Sequence, residues 1–149
     1  MRRILTTVFM SVLVLAFAGA IVPAVAQSLQ GMAIAHAPEG GFHGCHDGRP
    51  ETALNCARQK CREGGGEGCL RVRWCYPAGF SGAMSYLANR EITQETFLCG
   101  APSEAALLRM LAAHCAAVAE ATECRLIAMW APDGTETVRT DHLGKNTAD

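Results

Sequence analysis

The sequence contains no Cys-x-x-Cys pair, although it holds eight cysteines in 149 residues. That absence removes the usual signatures of thiol–disulfide catalysis and of c-type haem attachment. Aromatic residues make up only 6% and charged residues 18%, and 13 Lys+Arg against 14 Asp+Glu leave a formal charge of −1. Such a balance excludes a nucleic-acid binder driven by bulk charge, and 50% hydrophobic residues exclude a disordered regulator. The length excludes a multidomain enzyme. No Lys-Ser/Thr follows Gly64-Gly65-Gly66, so these glycines read as a linker and not as a phosphate loop. Gly79-Phe80-Ser81-Gly82-Ala83 lacks the last glycine of a nucleophile elbow and reads as a turn into a strand. No Ser/His/Asp or paired-carboxylate signature stands out, so neither an enzymatic activity nor a cofactor is expected.

What is present begins with an export signal. Met1-Arg2-Arg3 is a positive start, Ile4 to Val22 is almost wholly apolar, and Pro23 breaks any helix before Ala24-Val25-Ala26. Small residues at that point suit a signal peptidase, so residues 1–26 are read as a signal peptide cleaved before Gln27. No cysteine follows the site, which argues against a lipoprotein anchor. An uncleaved membrane anchor would leave the A-x-A site idle. The paired arginines are a weak twin-arginine signal, but that route exports proteins folded in a reducing cytosol and suits a cysteine-rich chain badly. General secretion to the periplasm or beyond is expected, with no stable membrane insertion after cleavage. Cleavage leaves 123 residues with all eight cysteines, and losing Arg2 and Arg3 takes the charge from −1 to −3.

The cysteines reveal a repeat. Cys45 to Cys61 and Cys99 to Cys115 both span 16 positions, while Cys61 to Cys69 is 8 and Cys115 to Cys124 is 9. Trp74 follows the first triplet by five residues and Trp130 follows the second by six. Leu54 lies over Leu108, Ala57 over Leu111, and a proline stands near each helix start, at Pro50 and Pro102. Two copies of one unit, at 31–75 and 82–130, account for all of these matches. Within each, short apolar segments (31–36 and 82–87) and second strand candidates (41–46 and 95–100) precede a helix. The first helix carries an inward stripe of Ala53, Leu54, Ala57 and Cys61. The second has Ser103 as N-cap, Glu104 in its first turn and an apolar face of Leu107, Leu108, Leu111, Cys115 and Val118. A strand follows each helix. The fold class is therefore α+β: a duplicated β-β-α-β unit forming a mainly antiparallel, disulfide-rich sheet covered by two helices. A single domain spans 27–132, and the polar, aperiodic residues 133–149 read as a flexible tail.

Position suggests two disulfides. Cys61 ends one helix and Cys69 opens the next strand, and Cys115 and Cys124 repeat that arrangement. Chain reversal brings each pair into range, and each closed loop is worth about 2–3 kcal/mol. Pairing Cys56 with Cys75 fits less well, because five helical residues advance ~7.5 Å while six strand residues advance ~20 Å. The partners of Cys45, Cys56, Cys75 and Cys99 stay open.

Gly-Met-Ala-Ile-Ala at 31–35, helical Ala and Leu leading to Cys61, and Cys69 opening a strand with Val72 and Trp74 form a combined pattern. It resembles the small secreted bacterial domains grouped as domain-of-unknown-function family number 4189. The likeness covers about residues 31–131 and implies export and disulfides, with no catalytic residue to carry over. Two features depart from that pattern: Gly31-Met32-Ala33-Ile34 replaces the usual Gly-Ala-Ile-Ala start, and Cys75 lies closer to its strand than the family's third cysteine.

His43, Cys45, His46 and Asp47 form the densest cluster of possible metal ligands, suited to zinc or copper if the thiolate were free. Yet Cys45 belongs to a repeated triplet whose counterpart, Cys99, has no histidine neighbour. His36, His114 and His142 are isolated. Arg58, Lys60, Arg62, Arg71 and Arg73 make a local basic group, which reads first as a solvated face. Trp74 and Trp130 read as core anchors. The expected function is a secreted or periplasmic binding module without catalytic activity, with another exported protein as partner and an inhibitor or immunity-type role as the natural subtype. Periplasmic metal binding or thiol redox chemistry at His43, Cys45 and His46 is the alternative.

Overall fold

The computed structural model describes residues 30–89 and 91–144. The signal peptide read at 1–26 and the last five residues of the chain lie outside the described residues.

In the first unit, β1 (Gly31–Ala37) and β2 (Gly41–Asp47) form an antiparallel pair, α1 (Pro50–Glu63) follows, and β3 (Arg71–Cys75) pairs with the other side of β1. The second unit runs β4 (Phe80–Ala88), β5 (Ile92–Ala101), α2 (Glu104–Ala117) and β6 (Ala121–Trp130). Strand order is β2-β1-β3 in one and β5-β4-β6 in the other, so both units share one topology. The strands form two sheets, where one had been expected, and every paired strand is antiparallel.

Both helices bury a residue every fourth position. In α1 these are Ala53, Ala57 and Cys61, and in α2 Leu107, Leu111 and Cys115. Pro50 begins α1 where its missing N–H has no intrahelical partner, and Lys60 and Arg62 favour the negative C-terminal end of the helix. Ser103 caps α2, its hydroxyl accepting from the Ala106 N–H at 3.2 Å. Strand alternation then sorts the side chains. Ala33, Ala35 and Ala37 of β1 face α1, while Met32 and Ile34 meet Phe97, Ala128 and Trp130 of the second sheet. Met84, Leu126 and Met129 face α2. The layers run α1, first sheet, second sheet, α2, with a core in each of the three gaps.

Four disulfides tie these layers. Cys61–Cys69 and Cys115–Cys124 close each helix onto the following segment, with Cα atoms 6.1 and 6.2 Å apart. Cys45–Cys56 joins β2 to α1, and Cys75–Cys99 joins β3 to β5, crossing between the units. Cys56 does not pair with Cys75 because alternation turns Cys75 away from α1, onto the face shared with Met32.

Two further findings correct the sequence reading. Residues 133–144 are not a free tail: β7 (Glu136–Val138) and β8 (His142–Gly144) both pair with β6. A turn at Asp133-Gly134, with the Asp133 carboxylate accepting from the Thr135 N–H at 2.9 Å, folds the chain back onto β6. There Glu136 accepts from the Trp130 indole N–H at 3.0 Å, and Arg139 pairs with both Glu104 and Asp141. Leu143 packs against the α2 core. Strands of three residues are too short to show alternation, so composition hid them.

The two tryptophans also differ. Pairing between β4 and β6 shifts register between Ala83 and Met84, so that Ile127 is an extra residue in β6. One inserted residue reverses which face the following side chains occupy. Trp130 consequently points between the sheets and is 1% exposed, whereas Trp74 lies on the α1 side, half-buried, across Gly31. A Cβ at Gly31 would sit 1.9 Å from the Trp74 ring, so only glycine fits there.

Candidate functional site

The seam between the two sheets does not fill completely. On β1 the inward stripe Met32, Ile34 ends in His36, which is 5% exposed. Its Nε2–H donates to a carboxylate oxygen of Glu95 on β5, across the seam. Phe42 of β2 lies against the imidazole, with ring centroids 4.3 Å apart, and 6.3 Å from Phe97 of β5. Arg73 of β3 sits opposite Ile34 in the register, and its Nη1 donates to the Phe97 carbonyl at 3.1 Å. These side chains line a cleft of about 290 Å³, and Leu70, 89% exposed, stands at its rim. Burying a histidine is tolerable here because its ring nitrogen has a charged acceptor.

The cluster at 43–47 is not assembled into one site. His43 and Cys45 share the face toward α1, where His43 Nε2–H donates to the Gly40 carbonyl at 2.8 Å and Cys45 is bonded to Cys56. His46 occupies the other face of β2, beside the Gly134 turn. Its Nε2 is buried without a hydrogen-bond partner. Burial pushes its pKa below the ordinary imidazole range, Asp133 opposes that shift, and Lys60 adds to it. Asp133 in turn is held below the usual carboxylate range, mainly by hydrogen bonds from Thr135. Among the described residues no group of three His, Cys, Asp or Glu side chains could hold a metal ion, and no cysteine is free.

The basic group is divided as well. Arg58 and Arg62 are exposed on α1, Lys60 donates to the Gly44 carbonyl at 3.1 Å, and Arg73 lies on the opposite face of the sheet. His114 is half-buried in the last turn of α2, and His142 is exposed on β8. Ser81 is fully buried, its hydroxyl donating to the Ala78 carbonyl at 2.8 Å, which suits a turn and leaves no exposed nucleophile. Sequence reasoning missed Phe42, Glu95 and Phe97 altogether and took His36 as isolated. The available signal was the stripe Met32-x-Ile34-x-His36, a polar residue continuing an apolar face.

No family model, no curated protein and no solved structure matches the chain. Among the described residues no helix is long and apolar enough to cross a membrane. Four disulfides are compatible with an oxidising, extracellular or periplasmic environment.

Proposed function

We propose that this protein is an exported, disulfide-braced binding module without catalytic activity, and that it docks another exported protein at the seam beside β3. The observation that carries this reading is the exposure of Leu70 at the rim of the cleft, on a scaffold crosslinked four times. A large apolar side chain left in water beside a concave surface favours contact with a partner. β3 adds to this: among the described strands it pairs only with β1, so its outer edge offers backbone groups to an incoming chain. An inhibitor or immunity-type role suits such a crosslinked scaffold.

The test is retention from a periplasmic extract on immobilised protein, followed by mass spectrometry. Wild type should retain a defined exported protein, and Leu70→Lys should lose it while melting normally. Repeated retention of nothing, or equal retention by both forms, rejects the proposal.

A further inference from the structure

Arg73 brings an exposed cation to the cleft. A guanidinium carries five N–H donors, and Arg73 directs one of them to the Phe97 carbonyl, which aims the group along the seam. Among the described residues Arg73 has no ion pair. Glu95, the acidic side chain of the cleft wall, is engaged by His36 instead. The half-buried ring of Phe42 and the buried ring of Phe97, 6.3 Å apart, line the same cleft. At about 290 Å³ the space is at the small end of small-molecule sites, large enough for one or two rings and too small for a folded element.

We propose that the seam cleft binds a small aromatic carboxylate, its anionic end held by Arg73 and its ring laid against Phe42 and Phe97. The proposal rests on the seam being the working face of the binding module described above, and it names a ligand class that protein docking alone does not require. A planar guanidinium fork matches the two oxygens of a carboxylate. A single arginine with Glu95 close by suits a monoanion and disfavours a dianion such as phosphate, because the carboxylate of Glu95 repels the second charge.

Isothermal titration of the purified protein with benzoate and indole-3-acetate tests this, with benzamide and indole-3-acetamide as neutral counterparts. The acids should bind saturably and the amides at least about tenfold more weakly, as expected for loss of a charge-assisted pair. Arg73→Gln should weaken acid binding by about tenfold. Glu95→Gln keeps an acceptor for His36 but removes the negative charge, and it should tighten acid binding. Opposite signs in two cleft variants cannot come from loss of folding. Equal binding of acid and amide, no saturable binding of either acid, or no difference between the two variants overturns the proposal. A protein that retains its exported partner through Leu70 yet gives no heat with the acids rejects the ligand alone, leaving the docking reading in place.

Discussion

The two units of this protein reach one topology by different physical means. In the first, α1 lays Ala53 and Ala57 against Ala33, Ala35 and Ala37, and the small side chains let helix and sheet lie closer together than in the second unit. Alanine buries little beyond its methyl group, so this interface gains little from the hydrophobic effect. Two disulfides, Cys45–Cys56 and Cys61–Cys69, crosslink it. In the second unit, α2 presents Leu107 and Leu111 to Met84, Leu126 and Met129, and one internal disulfide suffices. The position matching Cys56 holds Met110, which is partly exposed. Thin apolar packing goes with added covalent constraint, and a fuller core does without it.

Truncating the two tryptophans should break the apparent equivalence most sharply. Trp130→Ala should cost about 3–5 kcal/mol, the range for a fully buried aromatic, because the ring fills the seam against Phe97 at 5.9 Å. Trp74→Ala should cost clearly less, since that ring is only half-buried. Equal losses in melting temperature would show that both rings do the same work.

Removing the covalent support of the first unit comes next. The double replacement Cys45→Ser with Cys56→Ser should destabilise by about 2–3 kcal/mol for so short a loop. Hydrogen exchange should then accelerate in α1 and β2 ahead of α2. Uniform acceleration across both helices would refute the contrast drawn above.

Capping differs between the units by a smaller amount. Ser103→Ala should cost about 1 kcal/mol through the orphaned Ala106 N–H, whereas Arg49→Ala should cost less, because Arg49 makes no side-chain cap bond. Urea titration of the two variants would sharpen or remove that difference.

The smallest effect is a pH dependence at His46. Burial lowers its folded-state pKa below 6.5, so the unfolded chain takes up a proton more readily than the native one. The resulting stability is present above pH 6.5 and is lost as pH falls through the lowered folded value. Melting temperature should fall over that window in wild type and fall less in His46→Gln. An unchanged slope in the variant would assign the acid sensitivity elsewhere.

Much of the fold was legible because its signals are local. The 16-residue cysteine spacings, the apolar stripes on both helices and Ser103 before α2 each depend on residues within a few turns of one another. The Cys61–Cys69 and Cys115–Cys124 closures join neighbours in the chain. Other features were hidden. Cys75–Cys99 spans 24 positions and two units, and nothing near either cysteine announces the other. The cleft draws His36, Phe42, Arg73 and Glu95 from four strands, two of them unremarkable in composition around those residues. β7 and β8 escaped notice because three residues cannot display a period of two.

Residue type and spacing alone thus settled the duplication, the helices, the α+β class and the sulfur-rich character, since each follows from short-range periodicity along the backbone. Which face of each strand turns inward, how the eight sulfurs divide, and where an open cleft remains were decided by sheet packing on sheet. A strand has two interchangeable faces until another layer covers one, and a single extra residue, Ile127, is enough to exchange them.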